Sequence, residues 1–205
     1  MSITNGYATL AEFKARAYPA GVTDTTDDTV IEQVIEATSR AIDNYCNDRF
    51  FVTGSDETRY QTAEWTDLLI PRYGIVSLTT LATDADGDGT YEATWSATDY
   101  NLAPYDAALD GKPYTMLEIS TNGNYTFPVG TKKGVKLVGK FGWSAVPDVI
   151  AEACLIQAQR LFKRRDAIFG VVGSAEMGQL VTIAKLDPDV QQLLMAYRKL
   201  TVGGV

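Results

Sequence analysis

The stretch Val135-Lys-Leu-Val-Gly-Lys-Phe-Gly-Trp-Ser-Ala-Val-Pro147 changes its hydrophobic period partway along. Val135, Leu137, Phe141 and Trp143 alternate with Lys136, Val138 and Lys140, the two-residue repeat of a half-buried strand. Beyond Pro147, the residues Ile150, Ala153, Cys154, Ala158, Leu161 and Phe162 recur at helical spacing up to Arg165. A proline at the start of that run suits the opening of an amphipathic helix. Strand and helix therefore meet here, and each period extends away from the junction in its own direction.

Upstream, the two-residue period persists. Tyr91, Ala93 and Trp95 alternate with Glu92 and Thr94, and strand candidates fall at 59–61, 67–70, 75–81, 99–102 and 114–119. Pro71 and the turn clusters at 84–89, 110–113 and 122–124 separate them. All three tryptophans, Trp65, Trp95 and Trp143, lie in this zone, which reads as an antiparallel sheet or small barrel over 51–143.

The first fifty residues are helical in pattern. Thr9 and Glu12 have the spacing of a capping box, which opens a short helix running to Tyr18. A break at Pro19, Gly21 and the Thr/Asp-rich run 23–28 precedes a longer helix over 28–47. Its apolar stripe is Val30, Ile31, Val34, Ile35, Ala41, Ile42 and Tyr45, and Glu36 and Arg40 are spaced for an ion pair. After the Pro147 helix, a glycine-punctuated apolar stretch spans 169–184. Asp187-Pro188 then caps a last helix carrying Val190, Leu193, Leu194, Tyr197 and Leu200, ahead of Gly203-Gly204. Neither set of helices can bury its stripe alone. The expected fold is α+β: a helical bundle built from both chain ends, 1–50 and 144–205, with an inserted antiparallel β domain, 51–143. Three independent subdomains are the alternative.

Composition sets the bounds on function. A chain of 205 residues buries roughly 70% of its unfolded surface and needs no metal or disulfide to fold. The amino-terminal residues lack the apolar core of a signal peptide, and no apolar run reaches membrane-spanning length, so a soluble product of the cytoplasm without a membrane partner is expected. Cys46 and Cys154 read as buried free thiols. Net charge is −8, and its distribution is uneven. Four basic residues face eight acidic ones over 1–50, seven face twelve over 51–143, and seven face six over 144–205. An acidic body of this kind disfavours tight DNA binding, which depends on phosphate neutralisation.

Three groups of residues invite a functional reading. Asp84, Asp86 and Asp88 follow the Asp-x-Asp-x-Asp-Gly spacing of the first half of a calcium loop, but the twelfth position is Trp95 instead of Glu. The same residues read as a hairpin turn, and a carboxylate-rich turn is compatible with weak calcium binding. Arg160, Lys163, Arg164 and Arg165 crowd a helix end, where cations complement the dipole or meet an acidic neighbour. Gly170, Gly173 and Gly178 punctuate an apolar segment containing Phe169, with no phosphate-loop Lys-Ser/Thr after it, and suit either a hairpin or a partner-contacting loop. Catalysis finds little support. The chain has no histidine, and neither cysteine has a thiolate-activating neighbourhood, so no enzyme activity and no obligatory cofactor are expected.

The opening Tyr7-Ala-Thr-Leu-Ala-Glu-Phe-Lys14, the run Ala41-Ile-Asp-Asn-Tyr-Cys46, and Phe141-Gly-Trp-Ser-Ala-Val-Pro147 with its helix ending Phe162-Lys-Arg-Arg-Asp166 form a recognisable set. Together they resemble the head–tail connector, or adaptor, proteins of tailed bacteriophages. The resemblance covers the helical ends and extends only loosely to the β zone. It implies a structural virion protein, made in the host bacterial cytoplasm, whose copies, typically twelve, form a ring around the DNA channel. The implied partners are the portal protein, the next tail-side connector or tail protein, and the other copies in the ring. Carried onto this chain, the portal-side residues would be Arg160, Lys163, Arg164, Arg165, Phe169, Tyr197, Arg198 and Lys199. A carbohydrate- or calcium-binding β module with helical flanks is the competing function, resting on the aromatic-rich middle and on Asp84, Asp86 and Asp88.

Overall fold

The computed structural model describes residues 3–18, 24–164 and 186–199. The chain is mixed α+β and divides into two compact units: Met1–Asp48 together with Val146–Val205, and Arg49–Ala145.

In the helical unit, α1 spans Leu10–Ala17 behind a complete capping box. The Thr9 hydroxyl accepts the Glu12 N–H at 3.2 Å, and the Glu12 carboxylate accepts the Thr9 N–H at 2.7 Å. Phe13 is its one buried residue and meets Phe162 edge to face at 5.5 Å. Helix α2, Asp28–Cys46, ends where Asn47 takes the left-handed conformation, φ 51°. Glu36 and Arg40 pair at 3.5 Å. The buried stripe of α2 is Ile31, Ile35, Thr38, Ser39, Ile42 and Cys46, while Val30 and Ala41 are exposed. The stripe thus runs through two polar residues that apolar periodicity passes over. Ser39 is used fully: its hydroxyl accepts the Tyr7 N–H at 2.9 Å and donates to the Ile35 carbonyl at 2.8 Å.

Helix α3, Asp148–Lys163, has Pro147 as its N-cap, at the helix start that the sequence pattern marks. It buries Ile150, Ala153, Cys154, Gln157, Ala158 and Phe162, and the small side chains let α2 approach until Ser39 Oγ and Cys154 Sγ lie 3.5 Å apart. Helix α4, Pro188–Leu194, is capped by Asp187, whose side chain accepts the Asp189 N–H, and buries Val190 and Leu194 against α3. The expected long last helix instead tightens into a 3₁₀ turn at Met195–Tyr197.

The β unit holds two antiparallel sheets instead of one sheet or a barrel. Strands β1 (Glu57–Gln61), β3 (Ile75–Thr83), β4 (Ala93–Thr94) and β7 (Val135–Phe141) form a four-stranded sheet in the order β1-β7-β3-β4. Strands β2 (Leu68–Leu69), β5 (Tyr100–Ala103) and β6 (Met116–Ile119) form a three-stranded one in the order β2-β6-β5. Burial along β7 alternates without exception, with Val135, Leu137, Gly139 and Phe141 inward. The strand stops at Phe141, not Trp143, because Gly142 turns the chain at φ 112° and donates its N–H to the Gly74 carbonyl at 2.8 Å. Gly139 permits a close approach: a Cβ there would lie 2.2 Å from the Ser77 carbonyl oxygen, where β3 shifts register against β7. The core of the unit packs Leu69, Ile75, Leu81, Trp95, Leu117, Phe127, Val135, Leu137 and Phe141. Trp95 stacks on Phe127 at 4.8 Å, and its indole N–H donates to Thr83 Oγ1 at 3.0 Å.

Candidate functional site

The acidic motif lies in the loop joining β3 to β4. Asp84 is 2% exposed, and its two carboxylate oxygens accept the N–H groups of Gly87 (2.7 Å) and Gly89 (2.8 Å). Both glycines have positive φ, 81° and 94°, which aims their N–H groups back at Asp84. Burial works to raise the Asp84 pKa, but these two donors outweigh it and hold the carboxyl below the usual aspartate range. Asp86 and Asp88 are exposed, and each accepts a backbone N–H two residues on, at 3.3 Å from Asp88 and 2.7 Å from Thr90. One oxygen from each of the three aspartates falls within 4.8 Å of the others, a spacing suited to a hard cation. The twelfth-position Trp95 is buried in the sheet core, and strands flank the loop. The hairpin is therefore built by its own hydrogen bonds, and Asp84 is the residue that closes it.

The basic group divides. Arg160 pairs with the α4 cap Asp187 at 2.6 Å. Arg198 lies over the Tyr45 ring at 5.3 Å. The Lys199 N–H donates to the Cys46 carbonyl at 2.8 Å, and its ammonium pairs with buried Asp48 at 3.1 Å. These three residues tie the helical unit together. Lys163 is exposed and Arg164 half-buried at the end of α3. Arg165, Phe169, Gly170, Gly173 and Gly178 lie outside the described residues. Half-buried Tyr197 lines a groove of about 590 Å³ with Val149, Leu193, Ala196, Asp189 and Gln192, and Met195 in the same turn is 75% exposed. Val149 and Met195 were not singled out by sequence. A lone apolar residue at a helix start carries no mark of exposure.

Both thiols are buried. Desolvation pushes Cys46 up to about 12, with Asp48 and Asp43 adding to it, and Cys154 up to about 11. Neither is a thiolate near neutral pH. Among the described residues, no helix is long and apolar enough to cross a membrane.

No protein-family model and no curated protein matches the chain. Solved structures do. A chain from the neck of an empty GTA particle computed with C6 symmetry superposes with a TM-score of 0.61 at 18% identity, covering 100% of this chain and 96% of that one. A chain from the neck of the native GTA particle, computed with C12 symmetry, gives 0.56 at 18% identity with the same coverage. A chain from the virion of the native gene transfer agent particle gives 0.56 at 20% identity, again over 100% and 96%. The likeness is one of fold, and it runs the length of the chain.

Proposed function

We propose that this chain is a structural subunit of the neck of a tailed-phage-like particle, a head-to-tail adaptor whose copies form a ring between the portal and the tail-side proteins. The observation that carries this is the fold match of the whole chain to neck proteins, at 100% coverage and a TM-score of 0.61. It agrees with the resemblance of the helical ends to phage connectors, which rests on sequence pattern and not on backbone superposition. The C12 and C6 symmetries of the neighbours' necks support a ring of this chain too, with twelve copies as the expected number.

In this reading residues 1–50 and 144–205 make a helical bundle and 51–143 an inserted β domain. The chain works in the virion as a structural part and not as a catalyst. The two thiols held near 12 and 11 and the absence of histidine from the sequence favour that role. The portal-side surface takes Lys163, Arg164, Arg165, Phe169 and Tyr197. Arg160, Arg198 and Lys199 set that surface through their internal pairs. The acidic balance lets DNA slide past without tight binding.

Electron microscopy of the chain mixed with the portal protein of its own particle tests the proposal. A ring of copies seated on the portal is expected. A folded chain that never associates with the portal overturns it.

A further inference from the structure

The loop between Phe127 and β7 is a cationic projection on an acidic chain. Lys132 and Lys133 are exposed, and neither ammonium has an ion-pair partner among the described residues, although the net charge is −8. The backbone beneath them is fixed on both sides. Gly130 donates its N–H to the Ala63 carbonyl at 3.1 Å, beside the bridge that pairs Val129 with Ala63, and the Gly134 N–H closes onto the Thr131 carbonyl at 3.0 Å. Lys133 holds φ 59°; its N–H donates to Thr62 Oγ1 at 3.2 Å, and its carbonyl accepts the Tyr91 hydroxyl at 2.7 Å. The acidic β3–β4 loop adjoins, since Asp84 donates its N–H to the Gly134 carbonyl at 2.9 Å, but its aspartates accept backbone amides of their own loop. On the paired segments 63–66 and 127–130, Trp65 is 46% exposed and Val129 50%. A fixed loop therefore presents apolar surface next to cations without partners.

The groove between α3 and α4 has the complementary chemistry. Val149, Leu193 and Ala196 give it an apolar lining, and Asp189 is its charged lining residue. No cation lines it, and the Asp189 carboxylate has no ion-pair partner among the described residues. Asp148, next to Val149 in the first turn of α3, is exposed as well. An apolar groove with acidic neighbours takes an apolar side chain followed closely by a cation, and Val129 ahead of Lys132 and Lys133 has that order. A closed ring supplies the occupant. It joins each copy to the next head to tail, through two different surfaces of one chain that must complement each other. Opposite charge on the two surfaces meets that demand and sets the register of the contact. Nucleic acid suits the loop less well. Lys132 and Lys133 alone are too few to track a phosphate backbone, and the nearby Tyr91 ring is engaged by Lys136 at 5.5 Å and Tyr60 at 5.8 Å.

We infer that the 129–133 loop of one copy seats in the α3–α4 groove of the next, with Val129 against Val149, Leu193 and Ala196, and Lys132 and Lys133 against Asp189 and Asp148. The inference rests on the ring reading, and the experiment separates the two. One charge-reversed chain carries Lys132→Glu and Lys133→Asp, aspartate being the better tolerated acid at positive φ. The other carries Asp189→Lys and Gln192→Lys. Each is mixed with the portal protein of its own particle, first alone and then together, and rings are counted by electron microscopy after circular dichroism has confirmed folding. Alone, each should form rings at least about tenfold less often than the parent chain, because like charges then meet at every contact. Together they should restore rings that hold both chains in equal amounts by mass spectrometry, since each reversed loop meets a reversed groove and each native loop a native one. A variant that does not fold is replaced by its neutral form, Lys132→Gln with Lys133→Asn or Asp189→Asn, for which a smaller loss of rings is expected. Rings formed by either folded variant alone as readily as by the parent overturn the contact and leave the neck reading standing. A mixture that restores no rings, or rings built from one chain only, also overturns it and assigns the loop or the groove to the portal. A parent chain that forms no ring overturns the neck reading and this contact with it.

Discussion

Thr38 and Ser39 are adjacent on α2 and both fully buried, yet replacing them should shift stability in opposite directions. Ser39 Oγ is the acceptor for the Tyr7 backbone N–H at 2.9 Å. Ser39→Ala strands that donor inside the helical unit, at a cost of about 1–3 kcal/mol. The better helix propensity of alanine returns about 0.5 kcal/mol, so a net loss of about 1–2 kcal/mol is expected. The Thr38 hydroxyl, in contrast, is buried with no hydrogen-bond partner among the described residues. Thr38→Val keeps the shape and β-branching while removing a desolvated hydroxyl, and helix propensity is nearly unchanged. A gain of about 1 kcal/mol follows. Urea unfolding followed by far-UV circular dichroism at helix wavelengths measures both. Tryptophan fluorescence follows the β unit separately, since Trp65, Trp95 and Trp143 all belong to it. If Thr38→Val destabilises the helices as much as Ser39→Ala does, the hydrogen-bond assignment behind both numbers is wrong.

Asp84→Ala should loosen the β3–β4 loop, seen as faster hydrogen exchange at the Gly87 and Gly89 amides, whereas Asp86→Ala should leave those amides protected. Because the folded Asp84 carboxyl sits below its ordinary value of 3.8, its stabilising effect is complete above that value. The effect fades as pH falls through the lower folded value, so the variant and the parent should converge in acid. With both Asp84 oxygens already engaged and tryptophan at the twelfth position, calorimetry should find calcium binding no tighter than about 1 mM. Submillimolar binding abolished by Asp86→Ala would instead favour the calcium-binding β module. Cys46 and Cys154 should resist a thiol reagent at pH 8 in the folded chain and react on unfolding, since desolvation holds both in the thiol form. Rapid labelling of the native protein would refute this.

Local signals in the sequence carried much of the secondary structure. The capping box at Thr9 and Glu12, the Asp187-Pro188 start and the alternation along β7 each act within a few residues; the first two appear as read, and the alternation holds as far as Phe141 instead of Trp143. The buried face of α2 was only half legible. Thr38 and Ser39 are polar, and Ser39 is inside because a distant amide and the small face of α3 require it there. The two-sheet division was not legible either, since β2 and β4 are two residues long and are defined by their partners more than by any pattern of their own. Among site residues, the spacing of Asp84, Asp86 and Asp88 announces the turn. Nothing local announces that Arg160 reaches Asp187, or that the Lys133 N–H reaches Thr62. Those encounters are products of the tertiary fold.

The position of β7 also governs when this molecule can acquire structure. It is the last strand of its unit in sequence and an interior one in space, flanked by β1 and β3. As the chain leaves a ribosome, β1 and β3 emerge without the neighbour that will lie between them, and they must wait until Phe141 has been made. The α2 stripe waits in the same way for α3. Synthesis therefore runs well past the middle of the chain before either core can close. Until then the exposed strands and stripe are the surfaces a chaperone would have to cover. A nascent chain halted before Val135 should remain protease-sensitive along both β1 and β3, and one halted after α3 should not.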